Sequence, residues 1–289
     1  MQEITSLSDM RAWTRGEQAR GRRVGFVPTM GFLHEGHLRL VDRAKELADG
    51  VVMSIFVNPL QFGPTEDLAR YPRDLARDRS LAAARGVDTL FVPDTSAMYP
   101  GEPVARVAPG PVGDVLEGKI RPGHFSGVLT VVAKLFHLVE PDAAVFGRKD
   151  FQQATLVRLM VRELDFPIEI DVAPTVRELD GLALSSRNSY LSPDERRSAL
   201  ALSRALRAVE QAWRGGQAEA AALQKKGMET LAAPGVQPEY LALVDEALAP
   251  VERVTAKTIV LVAARIGTTR LIDNVVLGEG LAADPAVRA

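Results

Sequence analysis

The 289-residue sequence contains no cysteine, which excludes a disulfide framework, a thiolate nucleophile and any cysteine-ligated zinc or iron–sulfur centre. An excess of charge of either sign is also missing: 35 Lys and Arg against 37 Asp and Glu leave a formal charge of −2. Such a chain exerts no global pull on nucleic acid or on an anionic membrane, so any anion it binds must be gripped locally. No apolar run approaches the ~18 residues that a membrane span requires. The opening residues, MQEITSLSDM, are polar rather than a basic stretch leading into an apolar core, and a cytoplasmic chain is the expectation. Repeats and low-complexity segments are lacking too. What is present, 46% apolar and 25% charged residues, is the composition of an ordinary globular protein, long enough for one large domain and a smaller one.

The first 176 residues alternate short β-branched runs, at 24–27, 51–57, 87–92, 143–146 and 168–172, with segments of helical periodicity. Leu38, Val41, Ala44, Leu47 and Ala48 mark one helix face, and Leu129, Val132, Ala133, Phe136 and Leu138 crowd another. Five strands alternating with helices predict an α/β domain with a doubly wound parallel sheet over 1–176. Past a polar loop at 174–192, Ser192, Pro193, Asp194 and Glu195 read as a capping box with proline at the first helical position. The helix it opens runs to Gly215 and Gly216. A second helix over 218–231, strand-like runs at 240–244 and 259–263, and a turn in RIGTTRLIDN (265–274) into a final strand complete a smaller α+β domain over 177–289.

Ligands of such sheets bind beyond the carboxyl ends of the strands, and polar residues gather at those places. Two of the four histidines, His34 and His37, stand three apart where the first strand run hands over to the first helix. Glycines Gly31 and Gly36 permit close backbone approach there. The amides of a helix N-terminus favour phosphate, and imidazoles can donate to its oxygens as charge builds. The alternatives for the pair are capping or surface histidines and a zinc site, although His-Glu-x-His lacks the spacing of the two-histidine zinc helix.

After the fourth run, Lys149 can offer its ammonium to a polyphosphate and Asp150 can orient a ribose or a metal; a solvated turn is the plain alternative. Ser185, Ser186 and Arg187, with Asn188, suit phosphate capture by a closing loop, or form a polar linker. Asn58 and Gln61 can bind hydroxyls and a carboxylate without the cost of burying a charge. Gln152 and Gln153 could face the same pocket.

Taken together and in order, PTMGFLHEGH, FVNPLQFG, RPGHFSGV, FGRKDFQQ, PTVRELDGLALSSRN and AARIGTTRLIDN resemble the pantothenate synthetase family over nearly the whole chain. The histidine segment alone is also similar to the HIGH-type signature of nucleotidyltransferases and class I tRNA synthetases. The resemblance implies an N-terminal Rossmann-like domain bearing the site, a C-terminal lid domain and a homodimer. It implies ATP as a substrate, magnesium accompanying it, and two half-reactions: pantoate attacks ATP to give pantoyl adenylate and pyrophosphate, and β-alanine then displaces AMP to give pantothenate.

Carried over by position, His34, His37 and Lys149 are the expected catalytic residues. Met30, Gly31, Phe32, Leu33, Glu35 and Gly36 join the two histidines around ATP, with Gly147, Arg148, Lys149, Asp150, Val176, Leu184, Ser185, Ser186 and Arg187. Gln61 and Gln153 are expected at pantoate, Gln61 and Asn58 at β-alanine, and Asp78 at magnesium. Two positions depart from the family pattern: Arg148 stands where an acidic or amide residue is common, and Leu184 where methionine usually precedes Ser-Ser-Arg. Two competing readings remain at this point, a nucleotidyltransferase that releases pyrophosphate without ligation, and a nucleotide-binding module without catalysis. The near-neutral charge disfavours a tRNA synthetase.

Overall fold

A computed structural model describes residues 1–281. The chain divides into two compact units, one of Met1–Gly147 with Gln152–Ala173, the other of Arg148–Phe151 with the chain from Pro174 onward. The division therefore falls slightly before the expected 176, and the turn that carries Lys149 groups with the second unit although it directly follows a strand of the first.

The first unit contains, in order, β1 (Gln2–Ile4), α1 (Leu7–Ala19), β2 (Val24–Thr29), α2 (Glu35–Leu47), β3 (Gly50–Ile55), α3 (Leu75–Arg85), β4 (Thr89–Phe91), α4 (Thr95–Met98), α5 (Glu117–Ile120), α6 (His124–Val139), β5 (Ala143–Gly147), α7 (Phe151–Glu163) and β6 (Glu169–Ala173). All its strands are parallel, in the order β1-β4-β3-β2-β5-β6. Alternation along each strand feeds two apolar layers. Phe26 and Phe146 pack with Met10, Phe136 and Leu156 on one face. Val27 and Val145 pack with Leu40, Val41 and Ala82 on the other. Strands covered on both faces read as continuous apolar runs, which is why β2, β3 and β5 stand out in the sequence. The edge strand β1 does not: only Ile4 of its three residues is buried, and its register against β4, Gln2 opposite Thr89 and Ile4 opposite Phe91, defines it instead. The sheet thus has six strands rather than the five expected.

Strand order reverses direction between β2 and β5, the switch point at which such sheets bind ligands. Here the ladder is also short. β2 pairs with β3 along its full length, to Thr29 opposite Ile55, and β5 pairs with β6 to Gly147 opposite Ala173. Between β2 and β5 only Gly25–Ala143 and Phe26–Ala144 are paired. The carboxyl ends of the two central strands are therefore free of each other, and Pro28, with no N–H to give, suits the unpaired end of β2.

In the second unit, α8 (Pro193–Arg214) and α9 (Ala220–Leu231) cover an antiparallel sheet of β7 (Val236–Val244), β8 (Ile259–Ile266) and β9 (Thr269–Val276), in that order. The capping box is formed: the Glu195 N–H donates to Ser192 Oγ at 3.3 Å and the Ser192 N–H to Glu195 Oε2 at 2.8 Å. Leu202, Leu206, Val209 and Leu223 from the helices meet Val260, Val262 and Leu271 from the sheet. Among the described residues no helix is long and apolar enough to cross a membrane.

Candidate active site

The segment leaving β2 is shaped by one buried carboxylate. Gly31 (φ 82°) and Phe32 (φ 50°) both adopt the left-handed region, which costs a residue with a side chain free energy unless its surroundings hold it there. Asp78, on α3 and 1% exposed, supplies the hold: Oδ2 accepts from the Phe32 N–H and Oδ1 from the Leu33 N–H, each at 2.7 Å. Arg77 donates to the Leu33 carbonyl at 2.8 Å and lies over the Phe32 ring. Asp78 was expected at magnesium; in this fold both of its oxygens accept from backbone donors. Leu33, expected around ATP, has its side chain wholly in the core, so only its backbone is available. Glu35 is paired with Arg39 and Arg85.

This turn delivers His34 to the N-cap of α2 and His37 to its first turn. The two rings stack with centroids 4.0 Å apart, and the His34 N–H donates to His37 Nδ1 at 3.3 Å. An Nδ1 that accepts leaves the proton of the neutral ring on Nε2. His37 therefore presents an N–H donor at the far edge of its ring, beside a helix N-terminus that favours anions.

The segment leaving β3 ends in a one-turn 310 helix, Pro59–Gln61. Gln61 is held at both ends. Its side-chain Oε1 accepts from Asn58 Nδ2 at 3.1 Å and its Nε2 donates to Met30 Sδ at 3.2 Å. Asn58 is 1% exposed and fully engaged: Nδ2 also donates to the Gly127 carbonyl, and Oδ1 accepts from the Leu60 N–H and the Tyr99 hydroxyl. Burial pushes the Tyr99 hydroxyl up to about 12, so it stays a donor. Asn58, expected at β-alanine, is thus the support of Gln61. Gln152 is likewise structural, taking the Glu117 N–H on Oε1 and donating to the Val112 and Val115 carbonyls, while its neighbour Gln153 is half-buried.

Three residues to which the sequence reading gave no role secure the Gln61 backbone. His124 Nδ1 lies 2.9 Å from the Gln61 carbonyl and its Nε2 lies 3.0 Å from Arg121 Nη1, so Nδ1 carries the proton and Nε2 accepts. Arg121 also donates to both oxygens of Glu66. Burial is the largest influence on Glu66 and opposes its charge, but the Arg121 hydrogen bonds and charge, with smaller help from His124 and the Gly63 backbone, together outweigh it and hold the carboxyl below its ordinary range. The RPGHFSGV segment was the available signal, with Arg121 at the end of α5 and His124 three residues on at the start of α6.

Burial, reinforced by the Arg121 charge, lowers the His124 pKa from 6.5 to about 4. Below pH 6.5 the unfolded chain takes up a proton that the folded chain refuses. Stability should therefore be complete above pH 6.5 and decline as pH falls toward 4, by up to about 1.4 kcal/mol per pH unit. Urea midpoints measured across that range should show the slope in the parent and lack its His124 share in His124→Gln.

Gly127, on α6, sets the distance between that helix and the 310 turn. A Cβ there would lie 2.1 Å from the Leu60 carbonyl oxygen and 2.7 Å from the Gln61 nitrogen. These are backbone atoms that cannot swing aside, so Gly127→Ala should cost about 1–3 kcal/mol and lower the thermal midpoint measurably.

In the second unit, Arg148–Asp150 form a 310 turn, with Arg148 paired to Glu279. Val176, which is buried, opens a narrow hairpin: the Leu184 N–H donates to the Val176 carbonyl at 3.0 Å and Arg177 bridges to Ala183. Ser185 caps the following 310 helix, Ser186–Tyr190, by accepting from the Arg187 N–H at 3.3 Å. Ser186 is buried and Leu184 half-buried.

A doubly wound sheet open at its switch point, with a histidine pair on a helix N-terminus and a secured amide at the next strand end, defines a nucleotide-using α/β enzyme. The family model for pantoate-beta-alanine ligase matches residues 2–276, and the chain belongs to that family. It is 50% identical to the pantothenate synthetase of Moorella thermoacetica, over 96% of this chain and 99% of the relative. The crystal structure of pantothenate synthetase from Thermus thermophilus superposes with a TM-score of 0.91 at 50% identity, covering 96% of this chain and 99% of that one. A pantoate-beta-alanine ligase from Francisella tularensis, solved in complex with beta-gamma ATP and beta-alanine, matches with a TM-score of 0.81 at 34% identity, covering 98% and 100%. The expected fold and family are borne out.

Proposed function

We propose that the chain joins pantoate to β-alanine at the expense of ATP through a pantoyl adenylate, with its site residues divided as follows. His37, donating from Nε2, and His34 bind the ATP phosphates together with the amides of the α2 N-terminus. Lys149 adds a point charge there, and Ser185, Ser186 and Arg187 add further donors. Met30, Gly31, Gly36, Gly147, Asp150 and Val176 line the nucleotide. Gln61 and Gln153 hold pantoate, and Gln61 also meets β-alanine. The locked histidine pair carries this reading: a stack that fixes a donor edge at a helix N-terminus fits a phosphate whose charge grows during reaction.

In the first step a pantoate carboxylate oxygen bonds to the α-phosphorus as the bond to the bridging oxygen of the β-phosphate breaks, and pyrophosphate leaves. Donors at the phosphates offset the meeting of two anions. In the second, the neutral amine of β-alanine attacks the acyl carbon, AMP leaves with the bonding electrons, and one proton is released. Magnesium enters as part of the ATP substrate. Among the described residues no group of three or more His, Asp or Glu is placed to hold a metal, and Asp78 is engaged with the backbone, so no step is assigned to a protein-held ion. A homodimer located in the cytoplasm completes the proposal.

The chemistry is tested by supplying pantoate labelled with ¹⁸O in its carboxylate. Attack at the α-phosphorus places one labelled oxygen in AMP. Unlabelled AMP would rule out the adenylate.

A further inference from the structure

We infer that Asn274 is a positioning residue for ATP, fixing the direction of the Lys149 side chain from strand β9. The inference rests on the proposed contact of Lys149 with the ATP phosphates. Asn274 is 3% exposed, and its Nδ2 donates to the Arg148 carbonyl at 2.9 Å and to the Lys149 carbonyl at 3.0 Å. Those two carbonyls belong to the planar peptides on either side of the Lys149 Cα. Pinning both planes leaves the Cα–Cβ bond little freedom to swing.

The orientation of the amide is unambiguous, because a rotated amide would set Oδ1 against two carbonyl oxygens. Oδ1 is buried and has no hydrogen-bond partner among the described residues. A buried acceptor left unmatched is a cost to folding that calls for a reason, and the paired donors aimed at the lysine turn supply one.

Asn274 is itself fixed. Its N–H donates to Asp273 Oδ1 at 2.7 Å and its carbonyl accepts from Arg177 Nη2 at 3.1 Å. Arg177 in turn makes a bidentate, buried pair with Asp273, at 2.6 and 2.7 Å, and donates to the Gly181 carbonyl at 3.1 Å. A single two-residue step of β9 therefore anchors both the Lys149 turn and the hairpin that leads into Ser185, Ser186 and Arg187.

The test compares Asn274→Asp, Lys149→Ala and the double variant for pyrophosphate release from ATP and pantoate, with folding checked by thermal melting. Asn274→Asp keeps the shape and replaces the donor by an acceptor facing the carbonyls. It should lower kcat/KM for ATP by about 10²-fold, the scale of a displacement near 1 Å at a reacting group, and leave KM for pantoate unchanged. The double variant should be no slower than Lys149→Ala alone. If Asn274→Asp does not fold, Asn274→Ala removes the donors without adding repulsion and is read the same way. Parent-like kcat/KM for ATP in the Asn274 variant beside an impaired Lys149→Ala would overturn the inference, as would fully multiplicative losses in the double variant. A parent-like Lys149→Ala would overturn the Lys149 assignment and the inference with it.

Discussion

His37→Ala should slow pyrophosphate release from ATP and pantoate by about 10²–10³-fold, and Lys149→Ala by a similar factor, since one donor lost from a site of developing charge typically costs about 2.7–4 kcal/mol. The physical reason differs between the two. His37 contributes a directed N–H whose tautomer is set by the His34 N–H on Nδ1; Lys149 contributes a point charge on a turn of defined backbone. Both side chains are only half-buried, so truncation leaves no large cavity and the thermal midpoint should stay near that of the parent. Single-turnover release of pyrophosphate is the measurement. Parent-like rates in both variants would remove the phosphate-site assignment.

Asp78→Ala should be severe in a different way, lowering stability and activity together. It strips acceptors from the N–H groups of Phe32 and Leu33, and each buried donor so orphaned costs about 1–3 kcal/mol. The left-handed pair Gly31 and Phe32 then loses what holds it, and with it goes the approach of the chain to His34. Asp78→Asn is diagnostic because its amide keeps one acceptor but points NH₂ at a backbone N–H. It should resemble Asp78→Ala rather than the parent in both urea midpoint and pyrophosphate release. Were Asp78 a metal ligand instead, Asp78→Asn would keep the parent's stability and lose activity in a manner that excess magnesium relieves.

Those two sets of residues also show what a sequence discloses. The histidine pair was legible because imidazole is scarce here and its position between a β-branched run and an amphipathic helix is a location, not just a composition. The sheet was legible wherever a strand is buried on both faces, and β1 escaped because pairing rather than apolarity makes it a strand. Asp78, Asn58 and Gln152 looked like ligand-binding groups because sequence reports a polar side chain without saying where its lone pairs point. In the fold all three are directed at neighbouring protein groups. His124 and Arg121 lay in a segment that marked the family, yet their task, holding the Gln61 carbonyl, arises from a contact some sixty residues away that no local pattern encodes. Substrate identity came from the resemblance of whole segments, since amides and phosphate donors alone suit many acids.

The most direct test of the account is the stoichiometry of pyrophosphate and AMP released from ATP, magnesium and pantoate, with and without β-alanine. The account predicts about one equivalent of pyrophosphate per site without the amine, as the adenylate stays bound, and sustained release of both products once β-alanine is added. Sustained pyrophosphate release that does not respond to β-alanine would indicate adenylyl transfer without ligation, and ATP binding without any pyrophosphate would leave a nucleotide-binding module; either result contradicts the ligase.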